Sequence, residues 1–256
     1  MKPQVPAATR TLAILRTLAA ASSPMTASAI ARELNLPRSS TYHLLIAMSE
    51  SGFVVHLPEE QRWGLGVAAF EVGAAYLRHD PLERLARPLL DTLIKEIAPI
   101  SAVAHLGVLQ GSETLYLLKA LPKRNVPVLI EVGVRLPAAL TASGRAMLSA
   151  LPLAQVKAQL SQKSAFVDRT GRGPRTWNEL QAELKIDQQR GYAIEDGFIA
   201  EEMSSIGVAV VDHLKHPVAS IGLTYATDEV TKPQREALAQ SARGCARLLS
   251  RRLGAA

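Results

Sequence analysis

Apolar residues recur with a helical period through the first fifth of the chain. Over residues 9–21, TRTLAILRTLAAA, Leu12, Leu15, Leu18 and Ala19 fall on one side of a predicted helix. Thr9 can cap it, and Ser22-Ser23-Pro24 ends it, because proline disfavours a helical conformation in the residue before it. Ala27, Ile30, Ala31 and Leu34 then repeat the i, i+3, i+4, i+7 spacing behind Thr26, a good N-cap. Asn35-Leu36-Pro37 stops that run: asparagine tolerates a left-handed turn, and proline supplies the fixed φ of a first helical turn. A further helix is predicted from Pro37, with Thr41, Leu44, Leu45 and Met48 inward and Gly52 as its stop.

Two short amphipathic helices across a tight turn make a helix-turn-helix, whose second helix points its N-terminal residues at base edges in a major groove. Here those residues are Arg38, Ser39, Ser40, Tyr42 and His43, with short hydroxyls and one arginine and nothing bulky and apolar among them. Two short apolar-rich runs follow, Phe53 to Leu57 and Arg62 to Leu65, around Pro58-Glu59-Glu60-Gln61. A hairpin there is a wing, and Arg62 on it joins the candidate DNA contacts. The alternative is an ordinary helical hairpin in a larger core.

Beyond the wing, Gly64 to Arg78 predicts a helix with Val67, Phe70, Ala74 and Leu77 on one stripe and a thin polar face. Such a helix is covered either by a partner subunit or by the chain's own second domain. Asp80-Pro81 breaks it, and Leu82 to Ile97 is helical again. From Ile100 the period changes: 101–109 and 113–121 are extended runs around Gln110-Gly111-Ser112, and Val126 to Val132 is a third strand candidate. Helices are predicted over 141–151, 153–160 and 177–190, the last with Leu180, Leu184 and Ile186 inward. Strands return at 192–194, 205–211 and 218–225, with a turn at 212–217, before a closing helix over 232–253. Hairpin-joined strands with helices between and after them imply an α+β domain, an antiparallel sheet covered by helices.

Composition narrows the picture only a little. At 256 residues and 48% hydrophobic content the chain can build two cores. The net charge is +6, from 29 Lys and Arg against 23 Asp and Glu, compatible with a polyanion partner without requiring one. Up to Arg62 there are six basic and four acidic side chains, so the helix pattern, and not charge, carries the DNA inference. A lone cysteine, Cys245, excludes an internal disulfide and any zinc site of several thiolates. No apolar run approaches about 18 residues and the N-terminus lacks a signal-peptide core, so neither a membrane partner nor secretion is indicated and a cytoplasmic protein is expected.

Catalytic signatures such as HExxH, GxSxG, GxxxxGK[ST] and GxGxxG are missing, and no cofactor is expected. His213 and His216 flank a turn beside Asp212, where a solvated turn competes with a metal site; Asp196, Glu201 and Glu202 read either as an acid/base group or as solvated loop carboxylates. The segment 133–152, GVRLPAALTASGRAMLSALP, is different in kind. Thr141 is a good N-cap, and Ala142, Ser143 and Gly144 fall in a first turn whose free N–H groups and dipole favour an anion. Glycine there weakens the helix by about 1 kcal/mol relative to alanine. Close approach of a ligand and tight packing against a strand account for it equally well.

These segments resemble the IclR family of bacterial transcriptional regulators over nearly the full chain. The matching stretches are TLAILRTLA, TASAIARELNLPRSSTYHLL, the GLG closing the wing, LPAALTASGRAMLSALP and GVAVVDHLKHPVASIGLTY. The resemblance implies a winged helix-turn-helix over 1–65, a dimerising linker helix over 66–80, and a GAF-like effector-binding domain over 81–256. It implies a homodimer or homotetramer that binds a double-stranded DNA operator and a small organic-acid effector, controlling a catabolic operon. An enzyme with a DNA-targeting domain, or an architectural DNA binder, are the competing readings. The effector site would be lined by Thr141, Ala142, Ser143, Gly144 and Arg145, and by the later strands around Asp196, Ser204 and Ser205. The chain departs from the family pattern at several positions. His43 stands where arginine is common, Ala139 where histidine is frequent and Arg145 where lysine is. Phe198 lies near a usually acidic position, and Ser204-Ser205 where other members carry cysteine.

Overall fold

The computed structural model describes residues 5–79, 81–123, 131–161 and 166–255, in two units, Met1–Asp80 and Pro81–Ala256. In the first, α1 (Pro6–Ala20), α2 (Ala27–Glu33) and α3 (Arg38–Glu50) precede the antiparallel pair β1 (Val54–Leu57) and β2 (Arg62–Leu65). Thr26 caps α2 by accepting from the Ala29 amide at 3.2 Å, and Asn35 takes the left-handed turn at φ 50°. Pro37 stands immediately before α3, and Gly52 follows it at φ 73°. Met25 exchanges two backbone hydrogen bonds with Trp63, so the wing is also fastened to the start of the helix pair.

The core of this unit holds Ile14, Leu18, Ile30, Leu45, Met48, Val54 and Trp63. One predicted stripe is corrected here. Leu12 is 60% exposed and Ala19 exposed, while Ile14 is fully buried. α1 is apolar on more than one side, so its own period leaves the inward face undecided, and the partners α2 and α3 choose it. The linker helix α4 (Val67–His79) follows, starting later than expected because β2 takes Gly64 and Leu65. Val67 and Phe70 are 71% and 76% exposed in the single chain; the predicted Leu77 side chain lies outside those described.

The second unit begins with α5 (Pro81–Glu96). Next come β3 (Val103–Gln110), β4 (Glu113–Ala120), β5 (Arg135–Pro137), α6 (Ala142–Ser149), α7 (Leu153–Gln159) and α8 (Trp177–Arg190). β6 (Ala193–Asp196), β7 (Met203–Val211), β8 (Pro217–Ala226) and α9 (Lys232–Arg252) complete it. The strands form one antiparallel sheet in the order β5-β4-β3-β8-β7-β6. The third strand expected over 126–132 falls largely outside the described residues, and the short β5 pairs with β4. One face of the sheet, with Ala104, Leu106, Leu118, Ile206, Val208, Ile221 and Leu223, packs against Leu89, Leu90 and Leu93 of α5 and Leu238, Ala242 and Leu249 of α9. The other face carries small and polar residues and is covered by α6.

α8 contains a second correction. Leu180 and Leu184 are buried as expected, but Ile186 is 45% exposed and Asp187 takes the inward position at 1%. The i, i+4, i+7 stripe accepts a carboxylate because Arg145 on α6 meets it there.

Candidate DNA-binding face and effector site

On α3, Thr41, Leu45 and Met48 face the core, which turns Arg38, Ser39, Tyr42 and His43 outward, with Ser40 half-buried. Arg38 has no ion-pair partner among the described residues. Tyr42 is 50% exposed and meets the Trp63 ring edge-on at 6.2 Å, while His56 of β1 lies against the same ring at 4.5 Å. Trp63 thus joins the wing to the outward face of α3, a role the sequence reading missed because a wing tryptophan reads as one more strand residue. Arg62 is half-buried, and its Nη1 donates to the Pro24 carbonyl at 2.8 Å, which ties the wing to the connection between α1 and α2.

In the second unit, Thr141 accepts from the Gly144 amide at 3.0 Å through its side chain, and so caps α6 as expected. The first turn, Ala142, Ser143 and Gly144, is buried, seated where three neighbouring strands carry glycine. A Cβ on Gly207 of β7 would lie 2.3 Å from the Ala142 carbonyl carbon and oxygen. One on Gly222 of β8 would lie 2.6 Å from Ser143 Oγ, and one on Gly107 of β3 would lie 3.5 Å from Ser143 Cβ. Gly207 pairs with Gly222, and Gly107 with the adjacent Ser220. A side chain at Gly207 or Gly222 would push α6 off the sheet, while one at Gly107 would first meet Thr114 and Ser220.

Gly144 itself has a packing reason. A Cβ there would come within 2.3 Å of the Ala138 carbonyl oxygen and 2.4 Å of Ala138 Cα, so the loop before α6, and not a strand, occupies that space. Arg145 is fully buried. Nε donates to Asp187 Oδ2 at 2.9 Å, Nη2 to the Ile194 carbonyl and Nη1 to the Leu140 carbonyl at 3.5 Å, and the Phe198 ring centroid lies 5.1 Å from Cζ. All three guanidinium nitrogens are engaged inside the domain.

The later predicted residues separate. Glu195 pairs with Ser205 and Asp196 with Ser204, and successive strand residues point to opposite faces. Ser205 is on the α6 side, where its Oγ lies 3.0 Å from Thr224 Oγ1. Asp196 and Ser204 are on the α9 side, hydrogen-bonded at 3.0 Å, with Ser204 also 2.8 Å from Thr227. Of the expected site, Thr141, Ala142, Ser143, Gly144 and Ser205 are therefore brought together, and Asp196 and Ser204 are not.

The carboxylate beside Ser205 is Glu195, 2% exposed and accepting from the amides of Phe198 at 2.6 Å and Ile199 at 3.2 Å. Burial raises its pKa above the ordinary carboxylate range, against those amides and Ser205, which lower it. Thr114 and Tyr116 complete the cluster: Thr114 Oγ1 is 3.1 Å from Thr141 Oγ1, and Ser143 and Thr141 beside the Tyr116 hydroxyl lower its pKa against the burial that raises it. Sequence reasoning missed Glu195, Thr114, Tyr116 and Thr224. The signal available was glycine inside otherwise good strands, a mark of close backbone approach. Among the described residues no group of three or more His, Cys, Asp and Glu is placed to hold a metal.

The family description of the IclR helix-turn-helix domain matches residues 7–58, and that of the bacterial transcriptional regulator IclR C-terminal region matches residues 74–251. The chain belongs to the IclR family. It is 30% identical over 249 residues to the glycerol operon regulatory protein of Streptomyces coelicolor, covering 96% of this chain and 95% of that one. It is 26% identical over 232 residues to the transcriptional repressor IclR of Escherichia coli, covering 89% and 82%. An IclR regulator from Alicyclobacillus acidocaldarius shares the fold at a TM-score of 0.86 and 20% identity, over 98% of this chain and 100% of that one. An IclR homologue from Microbacterium hydrocarbonoxydans, solved in complex with 4-hydroxybenzoate, shares it at 0.76 and 22%, over 96% and 98%. IclR proteins are regulators and not enzymes, so this chain is a transcriptional regulator with a helix-turn-helix DNA-binding domain and a ligand-binding C-terminal domain.

Proposed function

We propose that this IclR regulator controls a catabolic operon in response to a small organic acid, binding its double-stranded DNA operator as a homodimer or homotetramer. The observation that carries the effector reading is the first turn of α6, seated on glycines of three strands and bordered by Thr114, Tyr116, Ser205 and Thr224. Helix N-terminal amides favour a carboxylate, and the surrounding hydroxyls add hydrogen bonds to it. Thr141, Ala142, Ser143, Gly144 and Ser205 contact the acid in this reading, with Glu195 and Thr224 beside them. Arg145 acts by tying α6 to Asp187 of α8, and Asp196 and Ser204 act from the far face. The IclR homologue bound to 4-hydroxybenzoate supports an acid effector.

Arg38, Ser39, Ser40, Tyr42 and His43 are the operator contacts, with Arg62 bracing the wing. Exposed Val67, Phe70 and Val72 on α4 support burial of that helix against a second subunit. Two subunits then read half-sites about one helical turn apart. Effector binding changes operator affinity through linkage between the two domains.

The experiment is a mobility shift of the full chain on its own upstream DNA, combined with melting of the protein in a panel of carboxylic acids. An acid at about 100 times its Kd adds about 2.7 kcal/mol of stability. The reading stands if one acid both stabilises the protein and changes operator affinity, and falls if no acid does either.

A further inference from the structure

On the α6 side of the sheet the buried polar side chains among the described residues have hydrogen-bond partners, with one exception. Thr114 bonds to Thr141, Ser205 to Thr224, and Glu195 to two backbone amides. His105 of β3 is 1% exposed, yet neither Nδ1 nor Nε2 has a hydrogen-bond partner. Among the described residues it is the one side chain on that face with buried, unpartnered polar atoms. Buried imidazole nitrogens are ordinarily bonded, so two orphans on one ring call for a partner.

The position of the ring says where that partner sits. In register, His105 lies between Gly222 of β8 and Lys119 of β4, and Gly222 is the residue over which Ser143 Oγ comes down. The His105 ring meets the Tyr116 ring edge-on with centroids 5.5 Å apart, and the Tyr116 hydroxyl in turn lies beside Ser143 and Thr141. The imidazole therefore borders the first turn of α6. Lys119 on the same row is held by Glu131 at 2.6 Å. Burial, with Lys119 adding to it, pushes the His105 pKa down to about 3, so the ring is neutral and offers one N–H donor and one bare nitrogen.

We propose that His105 receives a second polar group of the effector, so that the site selects carboxylates bearing a hydroxyl or oxo substituent over their unsubstituted parents. This rests on the carboxylate reading of the α6 turn given above. The helix amides take the carboxylate, the neighbouring hydroxyls add to that contact, and the imidazole is the buried side chain whose bonding a ligand completes. A ligand hydroxyl can accept from its N–H or donate to its bare nitrogen, and an oxo group can accept. A methyl or hydrogen in that place leaves both orphans standing, and sites built to bond a hydroxyl reject the analogue lacking it.

The test is calorimetric titration of the full chain with matched acids: glycolate against acetate, lactate against propionate, and 4-hydroxybenzoate against benzoate. Wild type is expected to favour the hydroxy acid of at least one pair by about tenfold or more. His105→Leu, close in volume, should collapse that preference to within about threefold while keeping the parent acid's affinity, and His105→Asn, which keeps a donor and an acceptor, should retain part of it. Without ligand, His105→Leu should melt at or above wild type, since it removes two orphans.

No preference in wild type, or an unchanged preference in His105→Leu, overturns the role of His105 and leaves the carboxylate site standing. Ligand-free melting well below wild type in both variants marks a structural histidine and also overturns it. Binding of no acid from any pair overturns the carboxylate reading and this proposal together.

Discussion

Nε of Arg145 donates to Oδ2 of Asp187 at 2.9 Å, with the two side chains 0% and 1% exposed. The pair fastens α6 to α8 beneath the proposed effector turn. A buried charge without its partner is costly, so Asp187→Ala should lower the unfolding free energy by about 3–5 kcal/mol. Arg145→Met combined with Asp187→Leu should cost less than either single change, because no charge is then stranded. Urea midpoints of Asp187→Ala, of the two single changes and of the double variant check this, and additive losses would contradict it.

Gly144→Ala sets two effects against each other. Alanine gains about 1 kcal/mol of helix propensity. Its Cβ, however, would stand 2.3 Å from the Ala138 carbonyl oxygen, a backbone atom that can move only with the loop. Overpacking of this kind costs about 1–3 kcal/mol, so we expect a lower melting temperature, and with α6 displaced, a weaker response to any acid. A melt at or above wild type would place the propensity gain ahead of the clash.

His105 makes stability fall on acidification. Its pKa is 6.5 in the unfolded chain and about 3 in the folded one, so the unfolded state binds the extra proton between those values. Its contribution is complete above pH 6.5 and is lost as pH drops toward 3, at up to about 1.4 kcal/mol per pH unit. The difference between wild type and His105→Asn isolates this residue, because Glu195 and the other carboxylates are common to both. Denaturant titrations from pH 7 to pH 4 should show wild type losing stability faster; parallel curves would contradict it.

Arg38→Ala reports on the operator face. If Arg38 reads a base edge, affinity should fall by about 1–3 kcal/mol with relaxed specificity; if it meets phosphate, the salt slope should drop by about one per protomer. Either result is visible in fluorescence anisotropy over a salt series. No change in affinity or slope would remove Arg38 from the interface.

Local order was plain from the residues alone. Thr26 ahead of α2, Asn35 in the turn, Pro37 before α3 and Thr141 on α6 act through neighbours a few positions away, so spacing sufficed for the helix-turn-helix, the hairpins and the α6 cap. Facing was harder. The sequence pattern points to Asp196 where the structure places Glu195, to Leu12 where it buries Ile14 and to Ile186 where it buries Asp187, in each case one or two positions away.

Periodicity says that a strand has two faces and a helix a stripe, but which of them turns inward depends on what arrives from elsewhere in the chain. The amino-acid order by itself determined the elements, their family pattern and the anion-favouring turn. Tertiary structure alone decided that Gly144 yields to Ala138, that Arg145 belongs to Asp187, and that Glu195, Thr224 and His105 share the face of the sheet under α6. Those meetings join strands separated by scores of residues, and a packed interior, unlike a helical period, leaves no local trace in sequence.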